Sequence, residues 1–330
     1  MKRLATAICA GLGFAAAAAV GAQPEKESWP MRPVRIIVPY APGGATDITA
    51  RHLANRLNEL TGQPVVIDNR AGASGIIAIE MAAKATPDGY TLLVGNVSTN
   101  AINETTFAQQ MKIKPSQGLT GVSNLIELPH IFVANNAVPA NNMREFVTWA
   151  KTQPPGKLNF GSSGIGSYPH LDGVRLARAG GFNATHIPYK GGAGQMLTGI
   201  AGGEVQVMLI NLASGLPFVQ AGRIKALAAV PATRIPQLPN VPTMAEMGLP
   251  GIGTNAWNGM FAPAGVSKSD LARIHARVVA LMEAPQMKET LAKSFMTVVV
   301  DKSPADFDRF VHAEVAKWAK VVRENDIRVE

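Results

Sequence analysis

Four short turns carry the residues of this chain that could meet a ligand, and none of them carries a catalytic set. The first, Ala41-Pro42-Gly43-Gly44-Ala45-Thr46-Asp47, follows Tyr40 at the end of an apolar run. Its glycines let backbone approach a ligand, and a helix starting there aims free N–H groups at an anion. Taken alone it is equally an ordinary tight turn with Thr46 or Asp47 as a plain cap. The second, Gly95 to Asn100, holds Asn96, Ser98 and Thr99. The third, Phe160-Gly161-Ser162-Ser163-Gly164-Ile165-Gly166-Ser167, offers three hydroxyls and several unencumbered N–H groups ahead of His170. An anion cradle is its better reading. The fourth, Pro188 to Gly194, contains Tyr189 and Lys190. Lys190 serves either as a counter-charge for the ligand or as an ion-pair partner between lobes, and His170 either faces the ligand or bonds at a helix end. Ile210 and Asn211, closing a later apolar run, complete the candidate contacts.

Other chemistries fail on spacing. No serine in the third turn has glycine at both −2 and +2, so a hydrolase elbow is missing, and no Gly-Lys-Ser/Thr occurs. Gly251-Ile252-Gly253-Thr254-Asn255-Ala256 matches a dinucleotide fingerprint, but it follows prolines rather than a strand and is discarded. The 6 histidines form no His-x-x-x-His or His-Glu-x-x-His pair. No catalytic residue, metal or cofactor is expected.

The elements that must position these turns read as α/β. Lys2 and Arg3 precede an uncharged stretch from Leu4 to Val20, and Val20-Gly21-Ala22 is a small-residue cleavage site, so residues 1–22 are a secretory signal peptide. Cys9, the only cysteine, leaves with it. At 330 residues the chain exceeds one hydrophobic core, which predicts two lobes. The +8 charge is scattered, which argues against nucleic acid and suits small anions.

Short apolar runs alternate with helical patterns, predicting parallel sheets flanked by helices. Strands are expected at Val34–Val38, Val65–Ile67, Tyr90–Val94, His130–Val133, Lys157–Phe160, Thr185–Ile187, Val205–Ile210 and Ile224–Val230. Helices follow most of them, the first with Ile48, Leu53, Leu57 and Leu60 on one face and Gly62 as its stop. Ser303-Pro304-Ala305-Asp306 starts a C-terminal helix striped by Phe307, Phe310, Val311, Val315, Trp318 and Val322. Ligands bind where strand-to-helix turns cluster on one sheet edge.

Taken in order, these segments resemble the Bug family of periplasmic receptors, the substrate-binding proteins of tripartite tricarboxylate transporters. The resemblance rests on Ile37 to Gly44, Asp47, Asp68-Asn69-Arg70-Ala71-Gly72-Ala73, Pro87-Asp88-Gly89-Tyr90-Thr91-Leu92, Ser163-Gly164, His170-Leu171, Pro188-Tyr189-Lys190-Gly191, Trp257 and Ala262-Pro263-Ala264-Gly265. It implies a type II periplasmic-binding-protein fold, each lobe with a mixed or parallel sheet, closing on a small carboxylate. Lobe one is then 30–130 with 254–330, and lobe two is 131–253. The segment from Phe107 to Ser116 departs from the family's wording. Ile210 stands where the family often carries an acid.

The function expected is therefore a periplasmic, monomeric receptor that delivers a small carboxylate to membrane-embedded transporter subunits. Without an acid at Ile210 to meet an ammonium group, an aromatic dicarboxylate such as terephthalate is the leading ligand, with Tyr40, Phe132 and Trp257 either lining it or in the core. The alternatives are an aliphatic di- or tricarboxylate, presentation of ligand to a membrane sensor kinase, and, least supported, a secreted hydrolase at Ser162-Ser163.

Overall fold

The computed structural model describes residues 29–189, 192–325 and 327. The leader with Cys9, and the candidate contact Lys190, lie outside the described residues.

The chain begins with β1 (Val34–Val38), α1 (Ala45–Thr61), β2 (Val65–Asn69), α2 (Ile76–Ala83) and β3 (Thr91–Asn96). A π turn over Ser98–Ile102 leads into the short helices α3 (Asn103–Thr106) and α4 (Pro115–Gly118), then β4 (Leu119–Leu128). The middle comprises β5 (His130–Asn135), α5 (Met143–Ala150), β6 (Asn159–Ser162), α6 (Tyr168–Gly180), β7 (Thr185–Pro188), α7 (Gly192–Ala201), β8 (Val207–Asn211), α8 (Leu212–Gln220) and β9 (Ile224–Ala229). The end returns as β10 (Ala256–Pro263), α9 (Lys268–Glu283), α10 (Pro285–Ala292), β11 (Thr297–Val298) and α11 (Pro304–Glu324).

Two sheets organise these elements. One has the order β11-β4-β10-β3-β1-β2 and the other β7-β6-β8-β5-β9, so the first draws on both ends of the chain and the second on its middle. Each sheet with its helices is a lobe, and the chain crosses between them at Leu128 to His130 and between Ala229 and Ala256. Both sheets are mixed, one of the two forms that the resemblance implied. Pairing is parallel among β1, β2 and β3 and among β6, β7 and β8, where helices link successive strands. It is antiparallel wherever β4, β5, β9 or β10 takes part. β10 is inserted between β3 and β4, so a strand from the returning chain completes the first sheet.

Local chemistry fixes the helix ends. Gly62 adopts φ 67 and its N–H bonds to Asn58 O, closing α1 as expected of a left-handed glycine cap. Ser303 caps α11 through Asp306 N, and Phe307, Val311, Trp318 and Val322 face the first core. Leu60, expected on the buried face of α1, is 57% exposed in the last turn.

Candidate functional site

The first turn leaves β1, whose Ile36, Ile37 and Val38 are fully buried, and reaches solvent at once: Ala41 to Gly44 are all exposed. Gly43 sits at φ 92, which a side chain would resist, whereas Gly44 is extended and stands as N-cap of α1 with no side-chain cap. The N–H groups of Ala45, Thr46 and Asp47 therefore have no carbonyl partner in the helix and lie at the positive end of its dipole. Asp47 turns the other way. Its carboxylate is 1% exposed and accepts hydrogen bonds from Gly43 N (2.8 Å), Arg51 Nε (2.8 Å) and Asn69 Nδ2 (2.9 Å). Burial alone would raise this carboxyl, but the bonds from Arg51, Gly43 and Asn69 outweigh it and hold it below the usual carboxylate range. Asn69 also donates to Tyr40 O at 2.9 Å, so one amide at the end of β2 staples both sides of the turn. The Asp47 carboxylate is thus an anchor of the turn, which leaves only the backbone N–H of this residue as a candidate contact.

Beside it, the turn after β3 is held by its own side chains. Asn96 Oδ1 accepts from Tyr40 Oη (3.0 Å), Ser98 N (3.0 Å) and Thr99 N (3.2 Å), and Thr99 Oγ1 accepts from Asn96 N (3.0 Å). Burial pushes the Tyr40 hydroxyl up to about 12, so it stays a neutral donor. Thr46 Oγ1 lies 3.4 Å from both Asn96 Nδ2 and Asn258 Oδ1, which brings a residue of β10 to the site.

In lobe two, the turn after β6 is built differently. Ser163 is exposed, while Ser162 is fully buried. Ser162 Oγ accepts from Gly164 N at 3.1 Å and lies 2.6 Å from His186 Nε2, and Ser167 Oγ donates to Gly164 O at 2.7 Å. The close serine–histidine pair resembles a nucleophile with its base, but a hydroxyl with no exposed surface cannot meet a substrate. At the far end Gly166 N donates to His170 Nδ1 at 3.1 Å. His170 is 8% exposed, and burial depresses it to about 4. Its imidazole stacks on that of His186, centroids 3.9 Å apart, and Phe160 stacks on both.

The two turns face one another across the lobes. Tyr168 N, at the start of α6, donates to Ser98 Oγ at 3.3 Å, and a methyl group on Gly166 would come within 2.9 Å of the Phe107 ring. Phe107, where the sequence departs from the family's wording, therefore packs against the lobe-two turn. His130, first residue after the crossover, puts Nδ1 2.8 Å from Leu128 O and Nε2 2.7 Å from Tyr168 Oη. A carbonyl can only accept, so Nδ1 carries the proton and Tyr168 donates to Nε2.

Other expected contacts are spent elsewhere. The Tyr189 hydroxyl donates to Glu204 Oε2 at 2.9 Å, and its ring lies under Gly199 of α7. Asn211 caps α8 by accepting from Ser214 N. Ile210 is 2% exposed and packs in the core with Ile131, Leu212 and Leu216, which corrects the expectation that it presents an aliphatic surface to the ligand. Phe132 and Trp257, 1% and 2% exposed, are core as well, and Trp257 Nε1 donates to Glu314 Oε2. Arg51, Asn69, His186 and Asn258 were not singled out from sequence. Only Arg51 carried a local signal, its spacing of four from Asp47 on a helix.

The hydroxyls and amides thus hold backbone, and backbone N–H groups remain to hold a ligand. Two lobes joined by two crossovers, with no side-chain cap at the start of α1, are the architecture of a solute receptor. Residues 49–327 match the model of the tripartite tricarboxylate transporter family receptors. BugT of Bordetella pertussis is 31% identical over 317 residues, 96% of each chain. A structure described as a periplasmic transporter superposes with TM-score 0.82 at 32% identity, covering 92% of this chain and 100% of that one. A protein of R. palustris, Rpa4515, solved with adipate, superposes with TM-score 0.82 at 34% identity, covering 91% of this chain and 99% of the other. The chain belongs to the tripartite tricarboxylate transporter receptor family. It has the type II periplasmic-binding-protein fold, and it is a periplasmic receptor for a small carboxylate rather than an enzyme.

Proposed function

We propose that the ligand is a small dicarboxylate, held at one end by the N–H groups of Gly44 to Asp47 and at the other by the Ser163 to Ser167 turn, with lobe closure presenting it to membrane-embedded transporter subunits. The observation that carries this reading is the exposed Gly44 N-cap of α1 with the Asp47 side chain turned inward, which leaves this helix start with neither a side-chain cap nor a competing carboxylate. An anion gains from such a helix end, and in lobe two the exposed Ser163 is the residue of its turn offered for the other carboxylate.

The body between the carboxylates is the finer question. Terephthalate retains Tyr40 as a ring neighbour, but Ile210, Phe132 and Trp257 no longer support it because they lie in the core. An aliphatic dicarboxylate draws support from Rpa4515, which was solved with adipate. Calorimetry with adipate, terephthalate and aspartate decides between them. Preference for aspartate would overturn the reading that the ligand carries no ammonium group, since an ammonium needs an acceptor carboxylate in the site.

The grip itself is tested by Gly44→Val. Gly44 is extended, and a methyl group there would meet nothing within 4 Å, so the fold should lose less than about 1 kcal/mol. Affinity should fall about tenfold or more, because the side chain stands where the anion must approach. Unchanged affinity in the folded variant would remove the lobe-one contact.

A further inference from the structure

The lobe-two turn is gripped at both ends by a stacked pair of histidines, His170 buried and His186 half-buried, and this pair has no role in the reading above. β6 and β7 run parallel with Phe160 directly opposite His186, so the His186 ring lies on the same face of the sheet as Phe160 and Ser162. α6 covers that face. It can come close because residue 173 is glycine: a methyl group there would lie 2.3 Å from two atoms of the Phe160 ring. Close approach brings His170, at the third position of α6, over His186 with centroids 3.9 Å apart and planes 21° from parallel. His186 Nε2 then holds Ser162 Oγ at the entry of the turn, and His170 Nδ1 holds Gly166 N–H at its exit. This is one half of a capping box moved by one residue: the third helical residue reaches back to the N–H of the residue before the Ser167 N-cap, with imidazole in place of a carboxylate or amide, while Ser167 makes no side-chain cap.

We propose that His170, backed by His186, is a positioning residue of the binding site: its unprotonated Nδ1 sets the conformation of the Ser163 to Ser167 turn, so that ligand capture is lost when the imidazole takes up a proton. This inference rests on the proposal that the turn contacts the ligand. A backbone N–H can donate only to a bare nitrogen, so the neutral ring carries its proton on Nε2, and a proton added at Nδ1 displaces Gly166 N–H. The groups that titrate around it are His186 on β7 and, two residues along α6, Asp172, whose charge is taken by Arg175 at 2.8 Å. The other neighbours are neutral: Phe160 and Ser162 on β6, and Phe107 with Thr106 from lobe one against Gly166. Burial opposes protonation of both rings, the stacked His170 adds to this for His186, and the two rings cannot both be charged at this separation without strong repulsion.

The test pairs a ligand-free measurement with a binding one. Amide exchange at Gly166, and the ring nitrogen signals of His170, are followed by NMR from neutral pH to about 4 in wild type, His170→Ala and His170→Gln. Adipate and terephthalate are titrated by calorimetry over the same range. Glutamine keeps an acceptor at the third helical position and does not titrate. In wild type, Gly166 should be protected at neutral pH and lose protection as His170 charges. His170→Ala should be unprotected throughout and bind about tenfold or more weakly. His170→Gln should keep protection and affinity. Because ligand carboxyls titrate in the same range, only the difference between the wild-type and His170→Gln curves is read, and it should open as pH falls. Unchanged Gly166 protection in His170→Ala would overturn the positioning role whatever the ligand. Lost protection with unchanged affinity would overturn the link to capture, and with it the lobe-two contact, while leaving the lobe-one grip to be judged by Gly44→Val.

Discussion

The lobe-one and lobe-two turns are anchored by opposite kinds of chemistry. Under Gly43-Gly44 lies a permanent charge, Asp47, fixed by Arg51, Asn69 and the turn's own N–H. Under Ser163 to Ser167 lies a neutral stack, His170 on His186 on Phe160, with Gly173 letting the helix down onto it. A charged anchor is strong because charge-assisted hydrogen bonds are roughly twice as strong as neutral ones. A neutral aromatic anchor depends on packing and on protonation state. The difference teaches that one turn is set by electrostatics and is insensitive to mild acid, whereas the other is set by shape and is the acid-sensitive half of the site.

The largest effect that sharpens this contrast is expected from Asp47→Ala. It removes three hydrogen bonds to one buried carboxylate and should cost about 3 kcal/mol in urea unfolding. A loss below about 1 kcal/mol would mean that the turn holds itself without the charge. Next comes the shape of the other anchor. Gly173→Ala forces α6 away from Phe160 and should destabilise by about 2 kcal/mol, with weakened ligand binding, since overpacking of this kind shifts backbone. If it unfolds like wild type, the close approach of α6 is not what seats the imidazoles.

The pH response separates the two anchors more gently. His170 is depressed to about 4, so between its ordinary value of 6.5 and about 4 the unfolded chain binds a proton that the folded one refuses. Its share of stability is complete above about 6.5 and is lost as pH falls toward the folded value, at up to about 1.4 kcal/mol per pH unit. His170→Gln should remove that share and flatten the slope of unfolding free energy in this window. His130 and His186, depressed to about 4 and about 3, should retain their own slope. Asp47, lowered from 3.8, gives way only in more acid solution, as pH falls through its depressed value. A slope unaltered by His170→Gln would break the contrast. The smallest effect is expected from Arg51→Ala. Its side chain is 47% exposed, so removing it should cost about 0.5 kcal/mol, far less than removing the buried carboxylate it meets.

Much of this molecule was legible along the chain. The β1 strand, the Gly62 stop of α1 and the Ser303-Pro304-Ala305-Asp306 start of α11 depend on residues a few positions apart, and the structure places them where those residues indicate. The turns themselves were legible for the same reason, since glycine and a following helix start are local facts. Their internal wiring was not. Asn69 reaches Asp47 across 22 residues, His186 reaches Ser162 across 24, and Asn258 reaches Thr46 across 212.

Three strands also escaped reading, the two-residue edge strand β11 and the interior pair β4 and β10. β4 and β10 pair with each other in the interior of the sheet and are buried on both faces, with Ser123, Asn124 and Asn258 among their buried residues. Such strands show no alternation, and polar residues inside them look like loop. Ile210 failed for a related reason. β8 has Val207 and Leu209 in one core cluster and Met208 and Ile210 in another, so both faces are apolar and nothing in the run tells which side meets helix and which meets ligand. The sequence by itself determined the α/β alternation, the positions of the turns and the glycines that open them, because each is decided by dihedral preference and near neighbours. Only the tertiary structure decided which polar side chains are spent holding backbone and which N–H groups stay free, because hydrogen-bond partners are assigned by strands and helices that meet from distant parts of the chain.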